Sequence, residues 1–395
     1  MENYRWTWTE IDLDALRHNL EQFRSALDPR IALMAVVKAN AYGHGAVKVA
    51  KEAISFGVHY LAVAFLDEAL ELRHHGIEAP ILVLGYTSPE GVEVARRHNI
   101  TLTAFDDALL EAAAADLSLP PLKVHVKIDT GMGRIGLTDA PSAIRYIERA
   151  LSAPGIEVEG LFTHYARADE HDKSHVLLQH RRFTEVVEHF AQKQVQFRYI
   201  HAGNSATAID TPELTCTMAR LGVAMYGMYP SDEVDADRVK LRPVMSFKTR
   251  VVMVKKVPAG TTISYGAKYV AKEDGETIAT LPVGYADGFT RMLSGKAEVL
   301  LRGRRVPVVG NICMDQCMIR VDNGEAAVGD EVVIFGSQGE ASILADELAD
   351  QLGTINYEIT CMLSHRVPRV YLKHGDIVEV DNTLLHFTNG KSISF

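Results

Sequence analysis

The sequence predicts an α/β protein, an N-terminal (β/α)8 TIM-like barrel followed by a mostly antiparallel β C-terminal domain, and three observations point to it. Up to about residue 230, strand-like apolar runs alternate with amphipathic stretches, and eight such runs fit a closed barrel of ordinary size. Residues 230–243, PSDEVDADRVKLRP, are charged and bracketed by prolines, the composition of a linker. Beyond them the runs shorten and are punctuated by Gly, Pro, Asn and Asp, which marks a mostly antiparallel β-domain. A chain of 395 residues exceeds the usual size of one hydrophobic core. Two domains are therefore expected, the barrel over 1–235 and the β-domain over 236–395. An open doubly wound sheet is the runner-up, weakened because no G-x-G-x-x-G turn follows the first strand.

Taken in order, the stretch from Ile11 to Leu20 places apolar residues at helical spacing and predicts a helix. Seven apolar residues follow at 31–37, rich in β-branched types, and read as a strand buried on both faces. Further strands are expected at 60–65, 81–84, 101–104, 123–128, 158–163, 197–201 and about 216–221. One intervening helix opens at Ser88-Pro89-Glu90, where Ser is a good N-cap and Pro a good first helical residue. In the β-domain the strand candidates are 247–254, 277–281, 298–301, 306–309, 318–321 and 331–335. Helical segments near 343–351 and 355–364 interrupt them.

Composition narrows the function. Apolar residues at 47% and charged residues at 23% describe an ordinary globular protein. A net charge of −10 without a basic run leaves no electrostatic footprint for nucleic acid or an anionic membrane. The segment MENYRW lacks the apolar core of a signal peptide, and no later run approaches the roughly 18 apolar residues of a membrane span. A cytoplasmic protein is expected. Four cysteines in so long a chain make no disulfide framework, so reduced thiols are the default. Cys313 and Cys317 lack a second cluster to complete a metal site, and no metal is expected. His171 and His175 could share a helix face, but a third ligand is not evident and a solvated surface is the better reading.

The chemistry concentrates at the ends of the barrel strands, where such barrels carry their active sites. Lys38 stands where the 31–37 run stops; an amine emerging from an apolar wall is disfavoured as ammonium, which makes it a candidate Schiff-base nucleophile. After strand seven comes HAGNS at 201–205, a small-residue loop ending in a hydroxyl, which suits an anion. Strand eight ends at Arg220-Leu221-Gly222, beside strand one in a closed barrel. A lysine next to a phosphate cup is the layout of a pyridoxal phosphate enzyme.

Eight strings taken together resemble a known family: VKANAYGHG at 37–45, KIDTGMGRIG at 127–136, THYA at 163–166, HAGNS at 201–205, RLGVAMYG at 220–227, SYG at 264–266, CMDQ at 313–316 and NYE at 356–358. In that order they resemble alanine racemase, a fold type III pyridoxal 5'-phosphate enzyme, and the likeness runs from WTEIDLDAL at 8–16 into the C-terminal domain. The resemblance implies that Lys38 carries the cofactor and serves as one proton-transfer base. Tyr265 would be the opposing base, reaching in from the second subunit of a homodimer with shared active sites. It further implies that Tyr42, Ser205, Gly222, Val223 and Tyr357 hold the phosphate, that His164 lies along the ring and that Arg220 faces the pyridine nitrogen. Arg134 and Met314 would take the substrate carboxylate, and Lys127 matches a lysine that is carbamylated in some members. Where many members carry Arg, this chain has Asn311.

Inverting a Cα centre needs an electron sink and a base on each face. Burial would lower the pKa of the lysine, and a neighbouring cation such as a protonated His164 would favour tyrosinate. A guanidinium effectively never gives up its proton, so opposite the pyridine nitrogen Arg220 can only donate. The expected reaction is interconversion of L- and D-alanine, which by resemblance would feed bacterial cell-wall peptidoglycan. Alternatives are another amino-acid racemase of the same fold, for serine or with broad specificity, and less favourably a decarboxylase, which wants a protonated ring nitrogen. A non-catalytic barrel that binds the cofactor would lack the second domain.

Overall fold

In the computed structural model, residues 4–321 and 325–385 are described. The first three residues of the segment read for a signal peptide lie outside them. The chain divides into two compact units, one over Ala15–Arg242 and one formed by residues up to Asp14 together with those from Pro243 on. The boundary therefore falls after Arg242 rather than after residue 235, and the first strand belongs to the second unit.

That strand, β1 (Thr7–Asp12), corrects the helix expected from Ile11. Thr7, Thr9 and Ile11 are buried while Trp8, Glu10 and Asp12 are half-buried, a period of two that the helical spacing further along concealed. The helix proper runs over Leu13–Ala26.

The first unit is built on β2 (Ala32–Val36), β3 (Tyr60–Val63), β4 (Ile81–Val83), β5 (Thr101–Ala104), β6 (Leu122–Lys127), β7 (Ile156–Phe162), β8 (Tyr199–His201) and β9 (Met218–Leu221). Each pairs in parallel with its neighbour in the order β9-β2-β3-β4-β5-β6-β7-β8. The ring is drawn shut between β8 and β9, where the Thr217 N–H donates to the Ile200 carbonyl at 2.8 Å. This is the eight-stranded parallel barrel the alternation predicts. Its strands are buried throughout β2 to β5, as continuous apolar runs require when helices cover one face and packed side chains the other. The helix expected from Ser88 begins at Gly91, with Ser88-Pro89-Glu90 forming the turn that leads into it. After β9 the linker has no regular structure, yet it is tied down: Asn19 Nδ2 donates to the Arg242 carbonyl at 2.9 Å, and the Arg242 N–H returns to Asn19 Oδ1 at 2.8 Å.

In the second unit the strands are β10 (Met245–Arg250), β11 (Met253–Val257), β12 (Thr262–Ile263), β13 (Tyr269–Val270), β14 (Glu276–Leu281), β15 (Glu298–Leu301), β16 (Arg304–Val309), β17 (Cys317–Val321), β18 (Glu331–Gln338), β19 (Ala341–Ile343), β20 (Arg369–Lys373) and β21 (Asp376–Asp381). They form one long sheet, β11-β14-β17-β16-β15-β18-β10-β1-β20-β21, with β19 added on β18 and β12-β13 as a separate hairpin. Pairing is antiparallel except between β1 and β20. Helices Ala345–Leu352 and Asn356–Cys361 occupy the two places expected. No helix among the described residues is long and apolar enough to cross a membrane.

Candidate active site

Directly after β2 and Lys38 the backbone does something no periodicity announces. Ala39, Asn40, Ala41 and Tyr42 all have φ between 51° and 54°, a left-handed helical turn closed by Gly43 at φ 86°. Each such L-residue costs roughly 1–2 kcal/mol, so the turn persists only because its surroundings over-determine it. Asn40 Oδ1 accepts from the Ala46 N–H at 2.8 Å, Glu68 Oε1 accepts from the Ala39 N–H at 2.6 Å, and Ala41 and Tyr42 are buried. The reward is placement. Tyr42 is turned inward against the Tyr226 ring, with centroids 5.0 Å apart, and its hydroxyl meets the loop after β9.

There, a Cβ on Gly222 would sit 2.9 Å from Tyr42 Oη and 3.8 Å from Ser205 Oγ, so only glycine leaves that space open. Ser205 Oγ accepts from the Gly222 N–H at 2.9 Å and from the Ala224 N–H at 3.3 Å. The Ser205–Asp210 helix that carries it is capped by Asn204, which accepts from the Thr207 N–H. Val223 opens the following 3-10 turn and is buried. Two hydroxyls and two backbone N–H groups thus converge from loops that are distant in sequence.

Arg220, on β9, is buried and donates to His201 Nδ1 at 2.9 Å, to the Thr163 carbonyl at 2.8 Å, to His164 Nδ1 at 3.1 Å and to the Gly203 carbonyl. Burial pushes its pKa down to about 10, which still leaves it charged at neutral pH. Register fixes its distance from the lysine: Arg220 lies opposite Met34, four residues before Lys38. His164 sits between charges, and burial followed by Arg220, Lys127, Arg134 and Lys38 holds its pKa well below the ordinary histidine value. The protonated His164 expected from sequence is therefore corrected to a neutral imidazole, because its Nδ1 must accept from a group that can only donate.

The loop after β6 is organised by Asp129. Its carboxylate accepts from the N–H groups of Gly131, Met132, Gly133 and Arg134 at 2.8–3.2 Å. Partial burial would raise its pKa, but those bonds and Lys127 outweigh it and keep the carboxyl below its usual range. Gly136 at φ 122° closes the loop where a Cβ would strike Lys127 Cγ and the Asp129 N at 2.9 Å. Lys127 is buried with its amine 4.4 Å above the Phe162 ring; burial, Arg220 and Arg134 push its pKa well below the ordinary lysine value. Arg134 is exposed at the loop's tip.

The remaining expected residues belong to the second unit. Tyr265 begins a short turn between Ser264 at φ 67° and Gly266 at φ 74°, and 72% of its surface is exposed. Its carbonyl accepts from Asn311 Nδ2 at 2.5 Å, while Ser264 Oγ donates to the Asn311 carbonyl at 2.6 Å. Asn311 is thereby the residue that steadies the Tyr265 turn. Met314 is half exposed on the adjoining Cys313 loop, and its carbonyl accepts from the Ala286 N–H at 3.0 Å. Tyr357 is half-buried on the Asn356–Cys361 helix. Cys216, Cys313 and Cys317 are free thiols. Sequence reading missed one group altogether: His125, Glu159 and Tyr60, buried polar residues inside the barrel strands that continue inward from His201. No local signal marked them, because β6 and β7 carry other charged residues, Lys123, Lys127 and Glu157, alongside His125 and Glu159.

A parallel barrel that gathers a strand-end lysine, convergent hydroxyls and N–H groups, and a buried donor-only guanidinium at the carboxyl ends of its strands is of the (β/α)8-barrel enzyme class. Profiles of the alanine racemase N-terminal domain and C-terminal domain match residues 11–230 and 244–371. The chain belongs to the alanine racemase family. It is 47% identical over 368 residues to an alanine racemase of Desulforamulus reducens, covering 92% of this chain and 98% of that protein. Among solved structures it is similar to the alanine racemase of Clostridium difficile, at TM-score 0.92 and 43% identity over 97% of this chain and all of that one. The alanine racemase of Bacillus anthracis with bound L-Ala-P matches at TM-score 0.92 and 41% identity, covering 97% and 99%.

Proposed function

We propose that the protein interconverts L- and D-alanine using pyridoxal 5'-phosphate held at the barrel mouth, as a homodimer in which each mouth is completed by the partner's second unit. The observation that carries this reading is Arg220, a buried guanidinium whose partners among the described residues are imidazole nitrogens and carbonyls rather than a carboxylate. Family membership sets the reaction class, and the site chemistry fits the cofactor. The space left by Gly222 between Tyr42 and Ser205 suits a phosphate, with Val223 and Tyr357 assigned beside them by resemblance. Lys38 would hold the cofactor through its amine, and by resemblance His164 would lie beside it.

Bound there, pyridoxal phosphate supplies the electron sink that makes the Cα–H bond of alanine acidic. Arg220 can only donate, so it keeps the ring nitrogen an acceptor and holds that sink weak, which favours returning the proton to Cα over other fates. Lys38 takes or delivers the Cα proton on one face and the partner's Tyr265 does so on the other, exchanging roles with the handedness of the substrate. Arg134 and the Met314 N–H orient the carboxylate. Lys127, whose amine is depressed by burial and two guanidiniums, is set up to add CO2 as a neutral nucleophile and lose a proton to solvent, placing a carbamate's negative charge beside Arg134. Free thiols fit a reducing cytoplasm, and D-alanine would serve peptidoglycan.

The test is the circular dichroism of L-alanine, and separately of L-serine, incubated with the protein and pyridoxal phosphate. Decay with alanine alone supports the assignment; decay with both makes this a broader racemase. Release of CO2 or an unchanged signal overturns it.

A further inference from the structure

Behind Arg220 a row of buried polar side chains crosses the barrel interior, drawn from β8, β6, β7, β3 and β5. His201 on β8 receives Arg220 at Nδ1, and its Nε2 lies 2.8 Å from His125 Nδ1 on β6. His125 Nε2 lies 3.3 Å from Glu159 Oε2 on β7, and the same oxygen accepts from the Tyr60 hydroxyl at 2.9 Å. Tyr60 in turn lies 2.5 Å from Thr101 Oγ1. Both imidazoles are fully enclosed.

Proton bookkeeping along this row has one solution. A guanidinium cannot accept, so His201 Nδ1 must be bare and its proton must sit on Nε2. That N–H can then only donate to His125 Nδ1, which leaves the His125 proton on Nε2, pointing at the Glu159 carboxylate. We propose that His201, His125 and Glu159 are positioning residues for Arg220: the carboxylate at the far end locks both imidazoles as Nε2–H tautomers, and the lock holds the guanidinium turned toward the mouth as a donor. The arrangement explains a choice of distance. A carboxylate directly on Arg220 would stand beside the ring and favour a protonated ring nitrogen, whereas two imidazoles away it polarises the row without adding charge at the mouth. Burial, together with Arg220, depresses the pKa of His201; burial likewise outweighs Glu159 in depressing that of His125, in keeping with neutral rings.

The tautomer assignment stands alone, and its kinetic consequence rests on the proposed racemase reading. Protein labelled with 15N-histidine and loaded with pyridoxal phosphate is examined at neutral pH, with His201 assigned from the resonances lost in His201→Asn. A neutral His201 with protonated Nε2 is expected; a proton on Nδ1, or on both nitrogens, overturns the proposal. Glu159→Leu should flip or mix the His125 tautomer and lower kcat for L-alanine roughly tenfold, the size of one hydrogen bond, with KM little changed. Glu159→Gln keeps an acceptor oxygen for His125 and Tyr60 and should restore both the wild-type tautomer and most of the rate. Equal losses in the two variants overturn the positioning role, as does a rise in KM alone. If Glu159→Leu does not fold, wild type and Glu159→Gln still decide the tautomer. Absence of racemisation in the wild type refutes the function and leaves the NMR result to judge the row.

Discussion

Tyr265 sits on a turn in which Ser264 and Gly266 both have positive φ, so its side chain is aimed by backbone conformation and by Asn311 rather than by packing. As the proposed base on one face only, it should matter unequally for the two enantiomers. Tyr265→Phe is expected to slow α-proton exchange of L-alanine more than that of D-alanine in deuterium oxide, read by mass spectrometry; equal slowing would refute the facial assignment. Arg220→Glu exchanges a permanent donor for an acceptor beside His201 and His164, so racemisation should fall while transamination rises, measured as pyruvate released from alanine. Unchanged partition between the two would show that ring protonation does not govern it. At this scale the sequence was legible where a polar residue ended an apolar run or sat among glycines, as with Lys38, Ser205 and Arg220. It was illegible where a role depends on packing. His164 reads as a cation until Arg220 is placed against it, and His125 and Glu159 read as ordinary strand residues until the barrel brings four strands together.

Among the elements, the left-handed turn after Lys38 is the one most dependent on its surroundings. Asn tolerates this conformation better than most residues, and Asn40 also caps the following helix by accepting from the Ala46 N–H. Asn40→Ala should therefore destabilise the protein by about 1–2 kcal/mol, seen as a lower urea midpoint, and should loosen Tyr42 from its place beside Gly222. A midpoint equal to wild type would mean that the enclosing residues alone hold the turn. Apolar runs foretold strands such as β2 and β4, which are buried throughout, whereas β6 and β7 also carry charged residues, some of them buried. The same rule was silent on β1, where only alternate residues are buried, and silent on the turn, whose cause is enclosure rather than pattern.

At the scale of the whole molecule, the residues assigned to one reaction are divided between two units, Lys38 and Arg220 in one and Tyr265, Met314 and Tyr357 in the other. If each barrel mouth is completed by a second subunit, two dead variants should repair one another. Lys38→Ala and Tyr265→Phe subunits, unfolded together and refolded in equal amounts, should regain about a quarter of wild-type activity, since half the dimers would be mixed and each would hold one intact site. No recovery, with mixed dimers verified by mass spectrometry, would refute sharing. The division into two units was legible from the change of period near residue 243, but the true partner of β1 was not, because nothing local tells a strand that its neighbours lie more than 230 residues away.

That separation has a price in time. β1 is inserted between β10 and β20, so during synthesis the first strand to leave the ribosome must wait for β10 to emerge, roughly ten to fifty seconds at ordinary translation rates, and longer still for β20. Until then the Thr7–Asp12 ribbon has no partner strand in its own sheet. A fragment made from Pro243 onward would carry the vacancy permanently, and a short peptide spanning Thr7–Asp12 would be the natural piece to fill it.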